Sequence, residues 1–223
     1  MKRISLLACA TLLSFFSIQA FSTPCGPYIG LGVGKSWFKS PDSNIFVVPP
    51  GGTSTHMLSG TGERAFVGFN VNKYFGIEGG YTHYARALYV GRLPAGAAYS
   101  ALTYYPHTYD IVGKLYMPLG MTGFNIYALG GVARVVETVQ FNNGGIPTNG
   151  KVAPPNTFSL GSNQTHGYNN RPIYGLGVNY NFTRHFLANI EVTQIQSLNS
   201  FSNSNTAVPY MNLATLNIAY GFD

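Results

Sequence analysis

Alternation of apolar and polar residues, repeated in about eight separate stretches, is the feature that most restricts how this chain can fold. The clearest copies are Gly76-Ile77-Glu78-Gly79-Gly80-Tyr81-Thr82, Tyr109-Asp110-Ile111-Val112-Gly113-Lys114-Leu115 and Ala214-Thr215-Leu216-Asn217-Ile218-Ala219-Tyr220. A period of two means β-strand, because successive side chains point to opposite faces. One face here is oily and aromatic, and the other carries Glu, Lys, Asp, Asn and Gly. Hydrocarbon offers no water to satisfy backbone N–H and C=O groups, so strands can cross a bilayer only as a closed barrel.

Composition supports a lipid-facing wall. Charged residues make up 9% of the 223 residues, against roughly 25% in an ordinary soluble domain. Tyr (16), Phe (15) and Gly (27) are abundant, which suits aromatic girdles and a strongly curved sheet. Of the 13 Lys and Arg residues, Lys2 and Arg3 fall in a leader, leaving 11 against 7 acidic residues. That excess is small and scattered, so nucleic acid is not expected as a partner.

Residues 1–22 read as a signal peptide, with Lys2 and Arg3 ahead of an apolar run from Ile4 to Ile18. Cleavage is expected after Ala20 or after Ser22. The barrel domain then occupies 23–223 and keeps one thiol, Cys25, so no internal disulfide is expected. Strands are placed near 27–38, 63–72, 74–86, 107–117, 123–137, 172–181, 186–196 and 210–222. Short links at 71–74, 117–123 and 181–185 alternate with long ones at 39–62, 87–106, 138–171 and 197–209. In outer-membrane barrels short turns face the periplasm and long loops face outside. The expected fold is therefore all-β: an eight-stranded antiparallel up-and-down transmembrane β-barrel.

The chain resembles the OmpA-type eight-stranded outer-membrane barrel. The resemblance rests on Gly68-Phe69-Asn70-Val71-Asn72-Lys73-Tyr74-Phe75-Gly76-Ile77-Glu78-Gly79-Gly80-Tyr81, on Gly113-Lys114-Leu115-Tyr116-Met117-Pro118-Leu119 with Ile126-Tyr127-Ala128-Leu129-Gly130-Gly131-Val132, and on Tyr174-Gly175-Leu176-Gly177-Val178-Asn179-Tyr180. It implies a charged cluster inside the barrel, to which Glu78, Lys114 and Glu191 correspond. Further family positions fall at Asn179 and Asn189. No segment after Asp223 is expected to grip the cell wall. The resemblance also implies contact with the outer-membrane assembly machinery, which reads an aromatic near the chain end, here Phe222.

Parity and charge place Arg64, Glu78, Asp110, Lys114, Arg134 and Glu191 in the lumen as a polar network, with Glu78 pairing Lys114. Trp37, Tyr74, Tyr81, Tyr127, Tyr174, Tyr180 and Tyr220 are expected as interfacial aromatics. Lys39, Arg86, Arg92 and Arg171 are placed at the outer rim, within reach of lipopolysaccharide phosphates. The histidines (His56, His83, His107, His166, His185) form no nucleophile–base pair and no metal-ligand spacing. No catalytic residue, cofactor or metal is therefore expected. The expected role is envelope structure and surface contact, with a host surface or phage as loop partner. A small low-conductance pore stands second and a lipid-modifying enzyme third.

Overall fold

The computed structural model describes residues 25–39, 53–92, 98–120, 122–143, 161–196 and 210–222. The expected signal peptide lies outside them. Ten strands follow one another in the chain: β1 (Gly26–Lys39), β2 (Thr53–Met57), β3 (Ser59–Asn72), β4 (Phe75–His83), β5 (Ala87–Arg92), β6 (Ala98–Pro118), β7 (Phe124–Asn143), β8 (Gly161–Asn181), β9 (Phe186–Ile195) and β10 (Tyr210–Gly221). Eight of these close into an antiparallel ring in the order β1-β3-β4-β6-β7-β8-β9-β10, and β10 returns to β1. The seam runs in unbroken register from Tyr28↔Gly221 to Lys39↔Tyr210. The remaining two strands stand on the ring: β2 pairs with β5, and β5 pairs with the outer half of β6.

Side-chain chemistry makes the tight turns. Asn72 Oδ1 accepts from the backbone N–H of Tyr74 (2.8 Å) and Phe75 (2.9 Å). Thr183 Oγ1 does the same for His185 (3.1 Å) and Phe186 (2.9 Å). Such local bonds imitate a backbone turn, which is why Asn and Thr favour these positions. Between β6 and β7, Gly120 and Gly123 take φ of 64° and 75°, a region that a Cβ disfavours.

The barrel is inside-out relative to a soluble protein. Ile111 is 69% exposed and Leu31 is 68% exposed, whereas Glu78 and Glu191 are 1% exposed. Exposed apolar residues form a belt on every ring strand. On β6 the belt runs from Tyr109 to Met117, about 20 Å high for strands rising ~3.3 Å per residue at a tilt near 40°. Towards the long-loop end it gives way to the outward-projecting Lys35, Glu63, His83, Arg134 and Asn170.

The wall is lopsided. Strands β6, β7 and β8 continue well past the belt, and β2 and β5 extend the same side. Strands β1, β9 and β10 have no such extension among the described residues. The expected loops 87–106 and 138–171 are therefore partly strand, as is the Thr53–Met57 part of 39–62. The reason is physical. Segments such as Leu102-Thr103-Tyr104-Tyr105 stand above the hydrocarbon, where no bilayer imposes a two-residue hydrophobic alternation.

Adjacent glycines on β7 give a test. A Cβ on Gly131 would collide with the Ile111 carbonyl oxygen and lie 2.7 Å from Val112 Cα, whereas one on outward-facing Gly130 meets nothing within 4 Å. Gly131→Val should lower stability by about 1–3 kcal/mol, the usual range for overpacking, and Gly130→Val should leave it nearly unchanged. Urea titration of the reconstituted barrels checks this.

Candidate functional site

The lumen is filled in layers. At mid-height Arg64 (β3), Glu78 (β4), Asp110 and Lys114 (β6) and Glu191 (β9) converge, all nearly solvent-free. Strand alternation turns each of them inward, away from hydrocarbon that would penalise the charge. Arg64 binds Asp110 through both terminal nitrogens at 2.8 Å and reaches Glu78 at 3.1 Å. Lys114 Nζ sits 2.7 Å from Glu78 and 3.1 Å from Glu191. The Arg64–Asp110 pair is bidentate and so fixes orientation as well as charge.

Two cations thus face three carboxylates. Phenol hydroxyls help to hold the negative charge: Tyr28 donates to Glu78 (2.9 Å) and Tyr127 to Glu191 (2.8 Å). Below this layer, towards the short turns, buried asparagines take over. Asn217 Nδ2 donates to Asn189 Oδ1 at 2.6 Å, and Asn179 Nδ2 to Asn181 Oδ1 at 3.2 Å. A cavity of about 10 Å³ remains beside Glu78, Lys114, Tyr116 and Asn179, no more than the volume of a single water.

Above the charges lies an apolar layer of Phe38, Tyr84, Val135, Ile173, Ile195, Met211 and Leu213. It packs like the core of a soluble protein and closes the lumen a second time. Higher still, Tyr89 and Tyr104 meet edge to face at 6.0 Å. Burial pushes the Tyr89 hydroxyl above its ordinary range.

Five of the six residues placed in the lumen on sequence grounds come together there: Arg64, Glu78, Asp110, Lys114 and Glu191. Arg134 does not. On β7 the inward parity belongs to Tyr127, Leu129, Ala133 and Val135, so Arg134 projects outward and lays its guanidinium 4.4 Å from the centre of the Tyr168 ring. Its position at the belt's outer edge lets the charge reach water while the stem covers apolar surface. Tyr127 is a second correction: it belongs to the lumen, 2% exposed, with Lys114 Nζ 4.9 Å from its ring centre. Of the other proposed aromatics, Tyr81 and Tyr174 project outward towards the long-loop end and Tyr74 and Tyr220 towards the short turns, all exposed. Trp37 and Tyr180 are partly exposed. Arg171 is a third correction. It is buried rather than displayed at the rim, and donates to Glu137 at 3.0 Å. Extending the inward parity of Asn179, Gly177, Gly175 and Ile173 by one more step would have found it. Cys25 is exposed and free. Among the described residues no cluster of His, Cys, Asp or Glu is arranged to hold a metal.

An exposed apolar belt around a polar, filled lumen defines a transmembrane β-barrel. The whole-chain comparison is specific: residues 8–222 match the model for the outer membrane protein beta-barrel domain, and the chain belongs to that family. Its place is the outer membrane. A relative, an uncharacterized protein of Coxiella burnetii, is 29% identical over 185 residues, covering 76% of this chain and 71% of its own. Among solved structures, Neisserial surface protein A has a TM-score of 0.53 at 11% identity, covering 88% of this chain and 97% of its own. OprG of Pseudomonas aeruginosa has a TM-score of 0.50 at 15% identity, covering 90% and 99%. Ail, the attachment invasion locus protein of Yersinia pestis, solved with the heparin analogue sucrose octasulfate, has a TM-score of 0.50 at 11% identity, covering 89% and 99%. At such identities these structures show the shared fold.

Breaking the network should be costly. Lys114→Ala leaves Glu78 and Glu191 facing each other in a dry interior, and a destabilisation of about 3–5 kcal/mol is expected from removing one partner of a buried pair. Lys114→Met combined with Glu78→Gln should recover part of that loss. Denaturant midpoints of the three barrels in one detergent decide the matter; equal stability of wild type and Lys114→Ala would contradict it.

Proposed function

We propose that this protein is an envelope-structural barrel whose extended strand wall makes contacts at the cell surface. The observation that carries the reading is the doubly closed lumen beneath a raised wall. The Arg64–Glu78–Asp110–Lys114–Glu191 network acts as a plug that holds opposite walls together, and the apolar layer from Phe38 to Leu213 seals the outer end. An eight-stranded ring leaves an interior just wide enough for side chains to fill, and here they fill it. Trp37, Tyr74, Tyr81, Tyr174, Tyr180 and Tyr220 serve as interfacial anchors in lipid and lipopolysaccharide. The strands of β2, β5, β6, β7 and β8 that rise past the belt supply the surface, with a host-cell or phage component as the class of partner. The occurrence of the fold in an attachment protein is consistent with this role.

Two measurements test the proposal. In planar bilayers the purified barrel should give no steady conductance, and Lys114→Ala should stay silent because the apolar seal remains. Steady wild-type conductance that changes sharply in Lys114→Ala would replace the plug with a pore. Excising 138–166 and joining Glu137 to Gly167 through a short turn should preserve heat-modifiable gel migration while abolishing adherence of expressing cells to host-cell monolayers and phage adsorption. Contacts undiminished by this excision would remove the wall from the function.

A further inference from the structure

The outer surface of the barrel carries an apolar groove of about 1350 Å³ that crosses β6, β4, β3, β1 and β10. Tyr109, Tyr81, Ala65, Leu31 and Ile218 lie on one line of paired residues across these strands. The groove begins near the outer girdle at Tyr81 and Tyr109 and ends near the opposite girdle at Phe186 and Tyr220. It therefore runs the height of the belt, obliquely to the strands.

Its floor is made by two small residues, Ala65 and Gly79, set among large ones. Backbone geometry does not require the glycine: Gly79 is not among the positive-φ glycines. Space does not require it either, since a Cβ there would meet nothing closer than the Asp110 carbonyl at 3.8 Å. A strand glycine marks a bulge, a bend or a close approach by a ligand, and Gly79 sits at no bulge, paired in register with Val67 and Ile111. At the outer end Glu63 pairs in register with His83, and exposed Lys35 projects from β1 next to them.

We propose that this groove is a retained-lipid site that holds one acyl chain of a phosphate-bearing membrane lipid. The groove runs along the hydrocarbon belt from its charged outer end at Glu63 and His83 to Phe186 and Tyr220, and its floor of two small side chains fits a thin flexible chain. Its polar end is also where a headgroup must sit. Lys35 and the His83 ring N–H supply donors to the phosphate, and Glu63 accepts from an amine where the headgroup carries one. The chain gains dispersion contacts along the floor that a freely exchanging neighbour lacks.

The test fills the groove. Barrels extracted from native membranes are analysed by native mass spectrometry. The same proteins are reconstituted with a phosphatidylethanolamine whose stearoyl chain carries a nitroxide, and the spectrum is read for a motionally restricted component. Wild type should show a lipid-sized adduct and the restricted component. Ala65→Leu/Gly79→Leu should reduce both by about fivefold or more, because the floor contacts are lost, while heat-modifiable migration stays intact. If the double variant fails to assemble, Gly79→Ala, which the open space accepts, should still weaken both signals. Equal adduct and equal restriction in wild type and filled variants would overturn the site. A second copy of the chain as the mass that filling removes would assign the groove to a protein interface instead.

Discussion

The molecule depends on the seam between β1 and β10. Pairing from Tyr28↔Gly221 to Lys39↔Tyr210 turns a sheet into a ring and leaves no free edge within the belt. Without it, a row of unpaired N–H and C=O groups would face hydrocarbon, at several kcal/mol for each group. Once the ring closes, every ring strand has one face in lipid and one in the lumen. The outward residues are then free to be oily, and the inward ones must solve a packing problem inside a narrow cylinder.

Two different chemistries solve it. At mid-height, long charged side chains from four strands meet, and their attraction offsets the desolvation each would suffer alone. Above them the chain uses Phe38, Tyr84, Ile173, Met211 and Leu213, as an aqueous protein would. Glu137 and Arg171 show the limit of the arrangement. Glu137 stands above the belt, and burial holds its carboxyl above the ordinary value although Arg171 is 3.0 Å away.

Legibility in the sequence followed the environment. Where lipid meets one face, as along Ile77-Glu78-Gly79 or Leu216-Asn217-Ile218, alternation located the strand and assigned both faces. Arg64, Glu78, Asp110, Lys114 and Glu191 were found because a charge at mid-strand can only face inward. Arg134 misled because the same logic does not hold at the belt's edge, where a long side chain reaches water from the outer face. Tyr127 misled because a tyrosine suits either a girdle or a buried hydrogen bond, and only the parity of Leu129 and Ala133 separates the two. The outer parts of β6, β7 and β8 carry no such alternation, because both of their faces lie beyond the bilayer. The apolar lumen layer has no local signature, since its members come from β1, β7, β8, β9 and β10 and from the segment just after β4.

The unequal strand lengths give the protein a front and a back. A large body arriving over β6, β7 and β8 is stopped by the raised sheet well before the bilayer. Arriving over β9, β10 and β1, it meets described strands that end close to the membrane plane. Rotation of the barrel about its long axis therefore matters to anything that approaches it: two molecules side by side, turned differently, present described strands of different height to the same visitor.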